Sequence, residues 1–427
     1  MATQTFANTD LVSDMVIASL FNKAQKVGLV GRETEGDFNT AKYGQTINMR
    51  RPVYFASSSG AVIQAGQTSA IEEGTVAVVV DNREKVVIEL DSQEMALNVT
   101  SDRVADYVNG MADELLNVIE QSIADEARTG VWNYGDASGG ATLDEFARAR
   151  AFMAAQGVSA MSNKYGCVTP FVGQILSKEV STAFSFPSVV RVSDAMDRAK
   201  IGTYNTIMFM EDQVLATHVS GVATGTIVVD GNDQNVTYNS ARGTYEQTLN
   251  LTGATIDTTG IFKAGDVLNI DTFQAINRKT RKSIGKLQGF LVTEDADSDG
   301  AGAVTVTISP PIIAETGVDA AFNTVDPTVT DVTAMDGLAV STVTGTDGEV
   351  RKENLIFAKE AFTIAMIDLP SVSDSGANSS TKSIDGLSLR LTRQYQINSD
   401  KVIYRCEALW AVKAIQPYYA FRIGTVE

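Results

Sequence analysis

Histidine, cysteine and proline are scarce in this sequence: one, two and eight among 427 residues. The lone histidine, His218, excludes a His-rich metal site and is the single candidate for any Ser/His/Asp or Cys/His arrangement. Cys167 and Cys406 lie far apart with no CxxC spacing, so neither a disulfide framework nor a zinc site is expected. Folding in a reducing cytoplasm is the simplest setting. No run approaches ~18 apolar residues, so no segment is predicted to span a membrane. The opening MATQTFANTDLVSDM has no basic or apolar leader region, so no signal peptide is expected. Basic residues are also few, 34 against 52 acidic, a net charge of −18 with an isoelectric point near 4.6. Such a surface repels phosphate and disfavours gripping nucleic acid by net charge.

What is present is a globular mixture, 44% hydrophobic and 20% charged, long enough for two or three domains. Leu11, Val12, Met15, Val16, Leu20 and Phe21 have mostly helical spacing. Residues 30–51 then read as a polar, irregular arm that ends in the strand-like Thr46–Met49. A Ser/Gly/Gln-rich stretch leads into Thr75–Val80, the turn pair Asp81-Asn82, and Val86–Leu90, which together predict a long hairpin.

The strongest helix follows. Val104, Val108, Met111, Leu115, Ile119 and Ile123 share one face, Ser101 or Asp102 can cap the start, and Gly130 can end it. Such a helix is roughly 40 Å long. Asp106, Asp113, Glu114 and Glu120 are expected on its solvated or partner-facing side. A second helix opens with the capping box Thr142-Leu143-Asp144-Glu145. A strand over Lys164–Thr169, a helix over Phe171–Val180, a weaker helical patch over Asp194–Lys200, and strands over Thr206–Met210 and Val214–Val219 complete a mixed region.

Composition shifts over residues 221–350, which hold 22 threonines and 15 glycines at a net charge of −10. Strand candidates at Thr226–Val229, Tyr245–Leu251, Val267–Ile270, Phe290–Thr293 and Val304–Ile308 alternate with turn clusters. This predicts a small antiparallel barrel or sandwich. After Val350 the pattern is mixed again, so 221–350 reads as an insertion in an interrupted main domain.

Candidate chemistry is thin. Asp295-Ala-Asp297-Ser-Asp299-Gly300 matches half an EF-hand loop, but Val306 stands where a bidentate Glu is needed and a strand follows, so a solvated acidic turn is expected. Arg278, Lys279, Arg281 and Lys282, with Lys286, form the one dense basic cluster and read as a solvated loop able to touch an acidic partner. His218 reads as a structural or exposed side chain. There is no Walker A motif, no GxGxxG after a strand, and no distinguishable catalytic carboxylate pair. Neither a catalytic residue, a cofactor nor a metal is assigned. Trp410, Tyr418, Tyr419 and Phe421 near the C-terminus suit core packing or a subunit interface.

Three stretches carry a resemblance. The first is Ala264-Gly265-Asp266-Val267-Leu268-Asn269-Ile270 with Ala275-Ile276-Asn277, Lys279-Thr280, Leu287-Gln288, Phe290–Thr293 and Thr307–Pro310. The second is Tyr404-Arg405 with Leu409-Trp410 and Pro417, where Ala411 replaces a frequent Gly. The third is the succession of hairpin and long helix over 57–129. Together they resemble the major capsid protein of tailed double-stranded-DNA bacteriophages, the Hong Kong 97 fold, in the branch of short-tailed enterobacterial phage coat proteins with an inserted β-barrel.

That resemblance implies an α+β capsid fold. Its parts are an N-terminal arm (1–56), an extended hairpin loop (57–91), a first part of the peripheral and axial core with the spine helix (92–220), an inserted barrel (221–350) and a second core part (351–427). It implies no enzyme but a self-assembling icosahedral shell, procapsid then mature head. Its partners would be copies of itself in pentamers and hexamers, a scaffolding protein, a portal protein, and packaged double-stranded DNA held without sequence-specific binding. Assembly would occur in the bacterial cytoplasm and the product would be a virion capsid. Asp230, Asp233 and Arg242, on the loop that would bridge capsomers, and the cluster Arg278, Lys279, Arg281 and Lys282 are the expected assembly contacts. Leu115, Ile119 and Trp410 are the expected structural anchors. A β-rich phage tail or cell-surface adhesion protein is the alternative that the Thr/Gly-rich insert suggests, and a carboxylate-based hydrolase a third.

Overall fold

The computed structural model describes residues 17, 24–32, 46–55, 60, 73–91, 101–183, 202–317, 319–345, 347–372, 377–384 and 387–426. The expected helical patch 194–200, most of the expected first helix and most of the Ser/Gly/Gln-rich stretch 57–74 lie outside them. The chain divides into two compact units. One comprises Met1–Asn48, Ala77–Ile123 and Phe362–Lys413; the other comprises Met49–Val76, Ala124–Ala361 and Ala414–Glu427. Packing therefore cuts the chain within the long helix rather than at the compositional shifts near 221 and 350.

That helix, α1, runs Ser101–Gly130. Of its predicted stripe, Val108, Met111, Leu115, Ile119 and Ile123 are all buried, and the Val104 side chain lies outside the described residues. One expectation fails on its other side. Glu120 is buried, not solvated, and its Oε1 accepts the backbone N–H groups of Gln25 and Lys26 at 2.6 and 3.1 Å. A carboxylate that terminates an incoming chain segment in this way satisfies donors that would otherwise be orphaned.

In the same unit a sheet has the order Gly31–Arg32, Phe362–Met366, Lys401–Ala414, Leu387–Gln396, Asn378–Ile384, with Asn82–Asp91 also paired to Lys401–Ala414. Alternation along Lys401–Ala414 buries Val402, Tyr404, Cys406, Ala408 and Trp410 on one face. Trp410 donates from Nε1 to Ser122 Oγ of α1 at 2.9 Å.

The predicted hairpin is corrected. Thr75–Val79 pairs with Thr46–Arg50, whereas Asn82–Asp91 matches ten residues of the distant strand, Asn82 opposite Trp410 through Asp91 opposite Lys401. A two-residue hairpin turn needs left-handed backbone, and neither Asp81 nor Asn82 has a positive φ.

The second unit holds α2 (Leu143–Ala155), α3 (Pro170–Ala183) and two sheets. Thr142 Oγ1 caps α2 by accepting Glu145 N–H at 3.4 Å. The first sheet has the order Tyr134–Asp136, Ala420–Thr425, Val350–Ala358, Lys164–Val168, Ile207–Glu211, Thr203–Tyr204, and Thr217–Val219 also pairs with Val350–Ala358.

The second sheet lies wholly within 221–350. Gly225–Val229, Gln247–Ala254, Val304–Ser309, Ser283–Val292, Val267–Ile276 and Val340–Thr342 are antiparallel neighbours in that order. Val228 also bridges Ala339, which joins the first strand to the chain entering the last and closes the sheet on itself. Its interior is apolar, with Leu249, Ile270, Phe273, Phe290, Val306 and Ile308 fully buried. The strands around Ile270 and Phe290 run ten residues each, longer than their apolar patterning suggests.

Candidate assembly surfaces

Buried polar groups join the closed sheet to its neighbour. Asp266, fully buried, accepts four hydrogen bonds: His218 at 2.8 Å, Thr344 Oγ1 at 2.8 Å, Lys263 N–H at 2.8 Å and Gly221 N–H at 3.0 Å. The sole histidine is thus structural. Gly265 has φ +105°, and a Cβ there would lie 3.0 Å from the imidazole. Its carbonyl takes a hydrogen bond from Arg422 Nη2 at 3.0 Å, and the Ala264 carbonyl takes one from Arg128 Nη1 at 3.0 Å. Arg422 also pairs with Glu353 at 2.8 Å, both sealed from solvent. A guanidinium and a carboxylate buried together are tolerated because both also have fixed hydrogen-bond geometry.

The expected contact loop is open. Asp230, Asp233 and Arg242 are all exposed. Gln234 holds the loop's shape: its Nε2 donates to Asp230 O at 2.7 Å and its Oε1 accepts Asn250 N–H at 2.7 Å. Thr237 caps the single turn Tyr238–Ala241 that precedes Arg242. Structured backbone with free charged tips suits recognition, since little ordering entropy remains to be lost.

The basic cluster is divided rather than uniformly solvated, a further correction. Lys279 and Lys282 are exposed. Arg278 is instead turned onto aromatic rings, 4.4 Å from the centroid of Tyr418 and 5.8 Å from that of Tyr54. Arg281 donates to the Phe55 carbonyl. The turn itself explains the split. Asn277 Oδ1 accepts the N–H groups of Lys279 and Thr280, Nδ2 reaches Ala155 O, and Arg281 takes φ +57°, so alternate side chains leave in different directions. Arg51 lies similarly, 4.3 Å over Tyr245. Burial pushes the Tyr418 phenol up, as does Tyr54 beside it, so it remains a protonated donor. Nothing in local spacing brings Tyr54, Tyr245 and Tyr418 together; only the apolar C-terminus hinted at Tyr418.

A third cluster lies in the other unit. Glu407, buried, is bound by Arg390 Nε at 2.8 Å, Arg83 Nη2 at 2.9 Å and Arg405 Nη2 at 2.7 Å. Burial pushes its carboxyl up, but these arginines hold it below the usual range. Leu115, Ile119 and Trp410 are buried. The acidic turn after Ser283–Val292 is occupied by the chain itself: Asp295 accepts Ala264 N–H, Asp297 accepts Gly260 N–H, and Asp299 accepts those of Ala301 and Ala303. Among the described residues no His/Cys/Asp/Glu group could hold a metal ion, and no helix is long and apolar enough to cross a membrane.

A family model described as P22 coat protein, gene protein 5, matches residues 1–421. The major capsid protein of Acyrthosiphon pisum secondary endosymbiont phage 1 is 29% identical over 261 residues, 60% of this chain and 59% of that protein. The chain thus spans about three fifths of the length of this curated relative. Among solved structures, a chain of Mycobacterium phage Che8 is 11% identical, with 94% of this chain and 91% of that one covered at a TM-score of 0.47. A chain from the head structure of Helicobacter pylori bacteriophage KHP40 is 8% identical over the same shares at a TM-score of 0.43.

Proposed function

Because the chain belongs to the P22 coat protein family, we propose that it is a major capsid protein that self-assembles into the icosahedral shell of a tailed bacteriophage. The observation that carries this reading is the family match over nearly the whole chain. The finer reading is a Hong Kong 97-type fold. In it α1 is the spine helix, Thr46–Arg50 and Thr75–Val79 are the arms of the extended loop, and the closed sheet of 221–350 is the inserted barrel.

Copies of this chain form pentamers and hexamers through heterologous contacts that must close. The exposed Asp230, Asp233 and Arg242 make charged contacts between capsomers, partly solvated and so about 0–1 kcal/mol each. Summed over a lattice, weak contacts give a stable shell. Lys279 and Lys282 remain available for the same purpose, while Arg281 is tied to the Phe55 carbonyl of its own subunit. A scaffolding protein, a portal protein and packaged double-stranded DNA complete the partner set, and assembly takes place in the host cytoplasm. The chain's own role is structural rather than enzymatic.

The test is to purify the chain with its scaffolding partner and view it by negative-stain microscopy. Uniform icosahedral particles are expected. A strictly monomeric species under every assembly condition overturns the reading.

A further inference from the structure

We propose that the cavity between Arg51 and Arg278 is a carboxylate-binding pocket, filled by an Asp or Glu side chain of a second copy of this chain. The inference rests on the self-assembly reading for the source of the ligand, but the pocket itself stands on its own chemistry. It has about 40 Å³ of free space. That is room for a few waters or one compact anionic group. Half of the residues that line it are aromatic, and its two charged residues are both cations; no carboxylate lines it among the described residues.

A guanidinium carries five N–H donors in one plane. Here a ring face lies 4.3 Å from the Arg51 guanidinium (Tyr245) and 4.4 Å from that of Arg278 (Tyr418), so each cation meets an aromatic face. Arg51 Nε has a long contact of 3.4 Å to Thr75 O, and the Arg278 guanidinium faces the rings of Tyr418 and Tyr54. Burial pulls Arg51 below the usual guanidinium range, and Tyr245, Tyr238 and Glu246 offset it only in part. Cation–π contact supplies part of the missing compensation. A carboxylate supplies the rest, because its two oxygens match the guanidinium fork.

The phenols are oriented for such a ligand. Tyr418 donates to Gln416 Oε1 at 2.9 Å, so the 2.7 Å contact between the Tyr54 and Tyr418 hydroxyls has Tyr54 as donor. Both protons are thereby committed to acceptors of the protein itself.

A second copy is the natural source. With 52 acidic residues against 34 basic, the charged group that a neighbour most often presents is a carboxylate. The pocket also sits at the end of the two-stranded pairing of Thr46–Arg50 with Thr75–Val79: Arg51 follows the first strand, and its N–H donates to Gly74 O at 2.8 Å.

The experiment compares the unmodified chain with Arg51→Gln, Arg278→Gln and Arg278→Lys. Circular dichroism and size-exclusion chromatography check the subunit, sedimentation reads particle yield, and a near-atomic map of unmodified particles reads the pocket. Folded Gln variants should need roughly tenfold more subunit to form particles, the loss of about one charge-assisted contact. Arg278→Lys, which keeps charge but loses the fork, should fall between. The map should show a neighbour's carboxylate within hydrogen-bond distance of Arg51 or Arg278.

Unchanged assembly of the Gln variants overturns the proposal, and so does a pocket holding only solvent or the subunit's own chain. If a Gln variant does not fold, the map alone decides. Failure of the unmodified chain to form particles sinks the shell reading instead. The pocket is then tested on the isolated chain: acetate should raise the melting temperature above chloride at equal ionic strength, and Arg278→Gln should abolish the difference. No effect of acetate overturns it.

Discussion

Two regions of this molecule bind carboxylates in opposite ways. In the sheet built on Lys401–Ala414, Glu407 is held by guanidinium groups from three strands, Arg83 lying 324 positions away in the chain. In the closed sheet of 221–350, side-chain carboxylates mostly meet backbone N–H groups. Asp299 accepts from Ala301 and Ala303, Asp331 from Thr333, and Asp326 from Thr328 and Ser283. Amide donors bring no counter-charge, so a segment with net charge −10 can shape its turns without basic residues. The arginine cluster instead leaves two positive charges in excess around one buried acid. The first device is local and tolerant; the second is long-range and depends on a single group.

Removing that group is the hardest blow to the contrast. Glu407→Ala leaves three arginines facing one another and should cost about 3–5 kcal/mol, read as a lower urea midpoint with unchanged slope. Asp331→Asn, at an exposed turn, should leave the midpoint within scatter. If the two behave alike, the distinction between the devices is wrong.

The apolar part of the same unit gives the next effect. Leu115 is fully buried on α1, and Leu115→Ala should cost about 2–5 kcal/mol. A variant as stable as the parent would remove the helix face from the core. Acid sharpens the comparison further. The Glu407 carboxyl is depressed below its ordinary 4.5 in the folded chain. Its contribution is therefore complete above that value and disappears as pH falls through the folded value. Asp299, Asp326 and Asp331 are depressed below 3.8 by their hydrogen bonds and act in the same direction at lower pH. Glu407→Gln should flatten the stability profile just below pH 4.5 and leave the more acidic limb. An unchanged profile would detach Glu407 from acid unfolding.

Which parts were readable from sequence follows the same divide between local and distant. The stripe Val108 to Ile123 and the Thr142 cap are local patterns, and both appear in the structure. The closed sheet showed itself as short strands between turns, though Val340–Thr342 was too short to stand out. The hairpin misled because two adjacent strands were assumed to pair, when Asn82–Asp91 has its partner more than 300 residues on. Glu120 and Arg278 looked like surface charges because their surroundings, Gln25–Lys26 in one case and Tyr54 with Tyr418 in the other, come from remote segments. The arginines around Glu407 carried no sequence signal, since only strand register assembles them.

Capping gives a smaller effect. Thr142→Ala removes one long hydrogen bond at the start of α2 and should cost about 0.5–1 kcal/mol by denaturant titration. A loss as large as that of Leu115→Ala would mean Thr142 also packs in the core.

The smallest expected effect is none at all. Cys406 lies one position before Glu407 but on the opposite, apolar face of its strand, fully buried, and burial together with the neighbouring carboxylate pushes its thiol up to about 12. Cys167 is equally buried in the other unit. Thiolate is the reactive form, so neither should react with a charged thiol reagent at neutral pH while the chain is folded, and both should react in denaturant. A mass spectrum after labelling counts the modified thiols. Rapid labelling of Cys406 in the folded chain would mean that the apolar face of this sheet opens, and the arginine cluster on the opposite face would then hold a strand that moves rather than a fixed one.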